Sequence, residues 1–266
     1  MTTKLRLMAL ALVVALFSVQ CTKDDSGATT YPTSIDSHFA SANYEYDGIK
    51  IPYRDGVTLA SVGGKAPLVV VLHGQYASGS DNRAQLRSDA MIRIWQHLIA
   101  SNTQAVVLAP QCSALRAWDE TKEDVNKATT MSEALKALIE NYVANNTKVD
   151  PSRIYILGYS DGSQPAGAGG VWQMLSAYTD MFAGAMVVAA DPNSNVSPAN
   201  IAKTPLLVVN GISDVHAVGL DIATFIDEVK AVGGEIHEVV MNYRSREELC
   251  REAFTIEHLN LVLQFK

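Results

Sequence analysis

The run Ile154-Tyr155-Ile156-Leu157-Gly158-Tyr159-Ser160-Asp161-Gly162 constrains this chain more than any other stretch. A continuous apolar segment of this length is typical of a strand buried on both faces, as in a parallel sheet covered by helices. It breaks into G-x-S-x-G, the pattern of a strand that turns sharply into a helix with a serine at the apex. The turn is crowded, so small residues must flank the serine. Its hydroxyl is expected to stand above the sheet on a strained backbone. Asp150-Pro151-Ser152-Arg153 reads as a turn that launches the strand. The competing reading is an ordinary Gly/Ser loop after an ordinary strand.

The surrounding pattern alternates between strands and helices. Tyr44-Glu45-Tyr46, Asp47-Gly48 and Ile49-Lys50-Ile51 predict an antiparallel hairpin around a D-G turn, extended by Tyr53-Arg54. Buried strands are expected at 68–72, 104–109, 154–157, 182–189 and 206–210, with a last strand at 236–241. Helical spacing predicts helices over 89–100, 130–143, 221–232 and 254–265. This alternation implies an α/β fold: a mostly parallel sheet with helices on both faces. Sites in such sheets lie at the carboxyl ends of the strands, where His73-Gly74, Pro110-Gln111, Ser160, Asp191 and Asp214 fall.

The formal net charge is −7, without basic clusters, which argues against nucleic acid and against docking on anionic lipid. Lys4 and Arg6 precede an apolar run, 7–19, too short to span a bilayer, so residues 1–20 read as a secretory signal. The run ends at Cys21 and resembles a bacterial lipoprotein signal, in which that cysteine is acylated; Gln20 departs from the usual small residue. Cys21-Thr22-Lys23-Asp24-Asp25 resembles an acidic surface-export signal. The expectation is an exported outer-membrane or cell-surface lipoprotein, periplasmic if not surface-exported, held to the membrane by lipid alone. Residues 21–42 are expected to form a tether and 43–266 the folded domain. A plain secretory signal with Cys21 incidental is the alternative. An oxidising compartment permits a Cys112–Cys250 disulfide; two separate buried thiols are the other reading.

A serine is a poor nucleophile unless an imidazole takes its proton and an acid orients that imidazole. The order for a strand-borne serine of this kind is Ser, then Asp or Glu, then His. Asp214, after the strand at 206–210, is the expected acid; the other reading makes it a helix cap. Asp191, after the preceding strand, is the runner-up. Gly74 permits close backbone approach, so the N–H of Gln75 or Tyr76, with that of Asp161, could face a developing oxyanion. His73 precedes Ser160 on the wrong loop and reads as structural.

These landmarks resemble the α/β-hydrolase superfamily over roughly residues 45 to 265. Within it the chain is similar to secreted bacterial esterases of the feruloyl-esterase, phospholipase/carboxylesterase and polyhydroxybutyrate-depolymerase-like type. The resemblance rests on Ile51-Pro52-Tyr53-Arg54, the run from Pro67 to Gly74, Gly79-Ser80-Asp81-Asn82, Ala109-Pro110-Gln111-Cys112 with Trp118, and 150–155. It implies carboxylic-ester hydrolysis through an acyl-serine, on a small-molecule or polysaccharide-linked ester, without metal or cofactor.

Two departures stand out. Ser163-Gln164-Pro165-Ala166-Gly167-Ala168-Gly169-Gly170 disfavours an early, regular helix behind Ser160. The family also places its histidine in the loop after the last strand. Here that loop reads Asn242-Tyr243-Arg244-Ser245-Arg246-Glu247-Glu248-Leu249, and arginine cannot accept the serine proton. His258 in the final helix is the expected substitute. His216 and His237 are alternatives, and His38 and His97 read as surface residues. Absence of any base is the further possibility. The functional expectation is therefore a serine carboxylesterase. The alternatives are a hydrolase-fold lipoprotein that binds a glycan or protein without turnover and, disfavoured because no gating domain precedes the hydrolase segment, a peptidase of the prolyl-oligopeptidase kind.

Overall fold

The computed structural model describes residues 34–59, 64–120, 122, 129–160, 166–211, 222–242 and 245–266. The signal, Cys21, Asp161, Asp214 and His216 lie outside them.

The chain opens with β1 (Phe39–Tyr46) and β2 (Ile49–Val57), paired antiparallel from Phe39↔Gly56 to Tyr46↔Ile49. Asp47 and Gly48 carry the two positive φ angles, 47° and 76°, that a two-residue type I′ turn demands. The sheet continues through β3 (Ala66–Leu72), β4 (Val106–Pro110), β5 (Val149–Tyr159), β6 (Gly184–Val188), β7 (Leu206–Gly211) and β8 (Ile236–Met241). Its spatial order is β1-β2-β4-β3-β5-β6-β7-β8. β2 meets β4 antiparallel, and every pairing from β4 to β8 is parallel.

Helices cover both faces. α1 (Asp89–Ala100) starts at Ser88, whose hydroxyl accepts from Met91 N–H, and buries Met91, Ile94, Trp95 and Leu98. It packs with α6 (Arg246–Glu252) and α7 (Ile256–Val262) on one face. The other face carries α2 (Met131–Asn145), α3 (Gly167–Ala177), the single turn α4 (Pro198–Ile201) and α5 (Ile222–Ala231). Thr130 and Glu133 close a reciprocal capping box at the start of α2. The inward residues of β3 to β7 meet this layer in one continuous core that includes Trp118, Trp172 and Phe225.

Several expectations need correction. The folded body starts before residue 43: Ile35 is buried, and Phe39 stacks on Trp95 at 4.5 Å between ring centroids. Residues 35–42 therefore belong to the body rather than the tether. Residues 150–153 form a bulge inside β5, because Ala66 pairs with Val149 while Leu68 pairs with Ile154. The expected last helix over 254–265 is two helices. Ser245 caps α6 and Thr255 caps α7, so Phe254 sits in the corner between them, fully buried.

The glycine run also resolves into packing. α3 begins at Gly167, seven residues beyond Ser160. A methyl group on Gly167 would lie 2.0 Å from the Leu72 carbonyl oxygen, and one on Gly170 would lie 2.4 Å from Trp118 Cβ. The glycines let α3 lie directly against the end of β3 and the Trp118 loop, at the cost of helix propensity.

Candidate active site

Ser160 stands at the carboxyl end of β5, between β3 and β6. Its N–H donates to the Val188 carbonyl at 3.1 Å, extending the ladder by one residue. Leu72 pairs with Gly158, so the His73–Tyr76 loop leaves the neighbouring strand beside it, about 5 Å away. The residue is only 3 % exposed. Among the described residues the non-glycine positive φ angles fall at Asp47, Asn82, Asn102 and Ala189, not at Ser160. The expectation of a hydroxyl standing proud on a strained apex is thus corrected. The ladder bond keeps the backbone extended, and α6 lies against it: Cys250 Sγ donates to the Ser160 carbonyl at 2.9 Å. Cys250 and Cys112 are both reduced and buried, so the disulfide does not form.

The loop after β3 begins with His73. Its Nδ1 faces the Gly74 carbonyl at 2.6 Å, and its Nε2 faces the Cys112 N–H at 2.9 Å. A carbonyl can only accept and an amide N–H can only donate, so the ring is neutral with the proton on Nδ1. Complete burial pushes its pKa down to about 4, against a smaller opposing effect of the Gly74 bond. Trp118 packs edge-on against the imidazole and donates its indole N–H to the His73 carbonyl. Both ring nitrogens are committed, so His73 is scaffolding. Gln75 and Tyr76 open a 3-10 turn, ahead of its first hydrogen bond from Ala77 N–H to the Gly74 carbonyl. That places their N–H groups where a helical turn presents its donors.

The remaining landmarks form one network. The fully buried Gln111 donates to Asp81 at 2.7 Å and to the Ala77 carbonyl at 3.1 Å, and accepts from Asn82 N–H at 2.7 Å. Asn82 donates to Ser41 and to the carbonyls of Ala42 and Tyr53, while Arg54 donates to the Asn82 carbonyl. Burial works against the Asp81 charge, yet the bonds from Gln111, Arg83 and Ala84, with nearby Arg87, hold its pKa below the ordinary carboxylate range. In the loop after β4, Arg116 and Glu120 form a buried ion pair, and Glu120 also accepts from Met131 N–H.

The histidines do not assemble on the serine. No hydrogen bond joins Ser160 to an imidazole among the described residues. His258 gives Nδ1–H to the Ala253 carbonyl at 2.6 Å, so no carboxylate orients it through that nitrogen. His237 lies three strands from β5, about 14 Å across the sheet. Its register partner Leu207 also places it below Ser160, and it stacks on Phe265. His97 is not a free surface residue: its Nδ1 donates to the Phe254 carbonyl at 2.5 Å. His38 is exposed and its ring lies near Trp95. Asp191 follows β6, half-buried. Among the described residues no three His, Cys, Asp or Glu side chains converge as a metal site requires.

What sequence reasoning missed is the corner between α6 and α7. Besides Cys250, it supplies Phe254, which packs edge-on against Tyr159. Tyr159 in turn shares a hydrogen bond with Ser88 at the start of α1. Arg93 grips Glu252 with two bonds of 2.8 and 2.9 Å. No sequence signal marks these residues as neighbours of Ser160.

No family model matches the chain. A 132-residue segment, 48% of this chain, is 31% identical to poly(3-hydroxyalkanoate) depolymerase C of Paucimonas lemoignei, and it spans 28% of that protein's length. Among solved structures, a thermostable esterase superposes with a TM-score of 0.71 at 22% identity, covering 87% of this chain and 64% of the other. A ferulic acid esterase superposes with a TM-score of 0.63 at 14% identity, covering 85% and 97%. The strand order, the two helical layers and these superpositions agree: the chain adopts the α/β-hydrolase fold, with the antiparallel β1–β2 hairpin at its start.

Proposed function

We propose that the protein is a serine carboxylic-ester hydrolase acting on acyl esters outside the cell, including esters carried on plant polysaccharide. The observation that carries this reading is the position of Ser160. It sits at the carboxyl end of the strand in the middle of the sheet, one strand from the Gly74-Gln75-Tyr76 turn. The ester-cleaving neighbours of the same fold and the local similarity to a polyester depolymerase support it. In this reading the Ser160 hydroxyl attacks the ester carbonyl, and an imidazole takes its proton and passes it to the leaving alcohol. Water then releases the acyl group. The N–H groups of Gln75 or Tyr76 and of Asp161 receive the oxyanion, and Asp214 is the acid.

Two imidazoles compete for the base. His258 keeps Nε2 as its acceptor because Nδ1–H is given to Ala253, so a carbonyl holds the orienting place of the acid. His216 stands two residues from Asp214 in the chain. The second reading is a binding protein that has lost turnover. Its support is the burial of Ser160 and the lack of an imidazole bonded to it among the described residues.

Hydrolysis of p-nitrophenyl acetate separates the two. Ser160→Ala is expected to lower kcat roughly a thousandfold or more. Equal rates for wild type and Ser160→Ala would leave the binding reading. His258→Ala and His216→Ala then assign the base by which one reproduces the serine loss.

A further inference from the structure

Cys250 has no place in the expected chemistry, yet its thiol is the group bonded to the main-chain carbonyl of the candidate nucleophile. The contact is 2.9 Å long and buried. A trans peptide is planar, and its C=O and following N–H point in opposite directions. A donor that fixes the direction of the Ser160 carbonyl therefore also fixes the direction of the next N–H in the chain. That N–H belongs to Asp161, the expected second oxyanion donor.

The corner around Cys250 is built to hold still. Two residues on, Glu252 is clamped by Arg93 of α1. Four residues on, the Phe254 carbonyl accepts from His97 of the same helix, and the Phe254 ring packs on Tyr159, the residue before Ser160. The Tyr159 hydroxyl is tied to Ser88, the cap of α1. The backbone on one side of the nucleophile is thus gripped through a ring and a phenol, and its carbonyl through a thiol, all referred to α1.

We propose that Cys250 is a positioning residue that aims the oxyanion donor through the Ser160–Asp161 peptide, with the α6–α7 corner as its rigid mount. The proposal rests on the hydrolase reading above. Its role is distinct from that of a base, because the thiol acts on the main chain and its proton stays in place.

The test uses three variants of the full chain, each measured for kcat and KM on p-nitrophenyl acetate and for thermal unfolding, beside wild type and Ser160→Ala. Cys250→Val fills the volume without a donor; kcat is expected to fall about three- to tenfold with KM unchanged, the effect of one neutral hydrogen bond. Cys250→Ser keeps a donor and is expected to retain most of kcat, whereas Cys250→Ala behaves as Cys250→Val in kcat and loses stability as well. An active wild type with Cys250→Val at full kcat overturns the proposal alone. So does a kcat that follows stability rather than the presence of a donor. A wild type no faster than Ser160→Ala overturns both the hydrolase reading and the proposal.

Discussion

The loops after β3 and β4 and the corner after β8 make opposite use of their side chains. The first region holds the residues that look most chemical in the sequence: His73, Asp81, Gln111 and Glu120. Its polar atoms bond within the two loops and to β1, β2 and the start of α2. The second region looks unremarkable, yet it touches both Tyr159 and the Ser160 carbonyl. The difference teaches that a residue's type suggests chemistry only while its polar atoms remain uncommitted. A histidine with both nitrogens bonded to the main chain is a bracket, whatever motif surrounds it.

This comparison can be broken where the first region is strongest. Glu120→Ala strands the Arg116 guanidinium in a site where the two side chains are 11% and 3% exposed. Loss of one partner of a buried pair costs about 3–5 kcal/mol. Chemical denaturation should show that loss, while the ester rate per folded molecule stays at the wild-type value. A rate that collapses in the folded protein would place this loop in the chemistry.

A second test uses pH. His73 has a pKa of about 4 when folded, against an ordinary value near 6.5 when unfolded. Between those values the unfolded chain binds more protons, so stability is complete above pH 6.5 and is lost as pH falls toward 4. The loss amounts to roughly 3 kcal/mol at most. Unfolding of His73→Gln should lack this acid limb while keeping the rest of the profile. An identical limb in the variant would assign it to the carboxylates.

The smallest effect belongs to the corner. Arg93→Ala leaves Glu252 with Arg251 as a partner, so the stability cost is expected to be about 1 kcal/mol. Its signature is kinetic: kcat on p-nitrophenyl acetate should fall a few-fold, because the mount of Cys250 loosens. A loss of stability without that fall would make the corner mere packing and erase the contrast.

Much of the fold was legible because it is written locally. The D-G turn, the uninterrupted apolar strands and the Thr130/Glu133 cap each specify their element within a few residues, and alternation then implies the parallel sheet. The late start of α3 was readable from its glycines, but their purpose was not. Close approach to Leu72 and Trp118 depends on residues distant in sequence. The split at Phe254 was missed because the apolar spacing runs through it, and only the Thr255 cap marks the break.

The sequence by itself determined that a serine would lie at the end of a buried parallel strand, beside a glycine-bearing turn. Strand burial and turn chemistry depend on near neighbours, so they can be read in order along the chain. Only the tertiary structure decided which side chains surround that serine. It tied His73 to Cys112, turned His258 toward Ala253, and brought Cys250, ninety residues away, onto the Ser160 carbonyl. Those outcomes follow from the packing of two helical layers on a shared sheet, and from the requirement that every buried polar group find a partner wherever the chain happens to supply one.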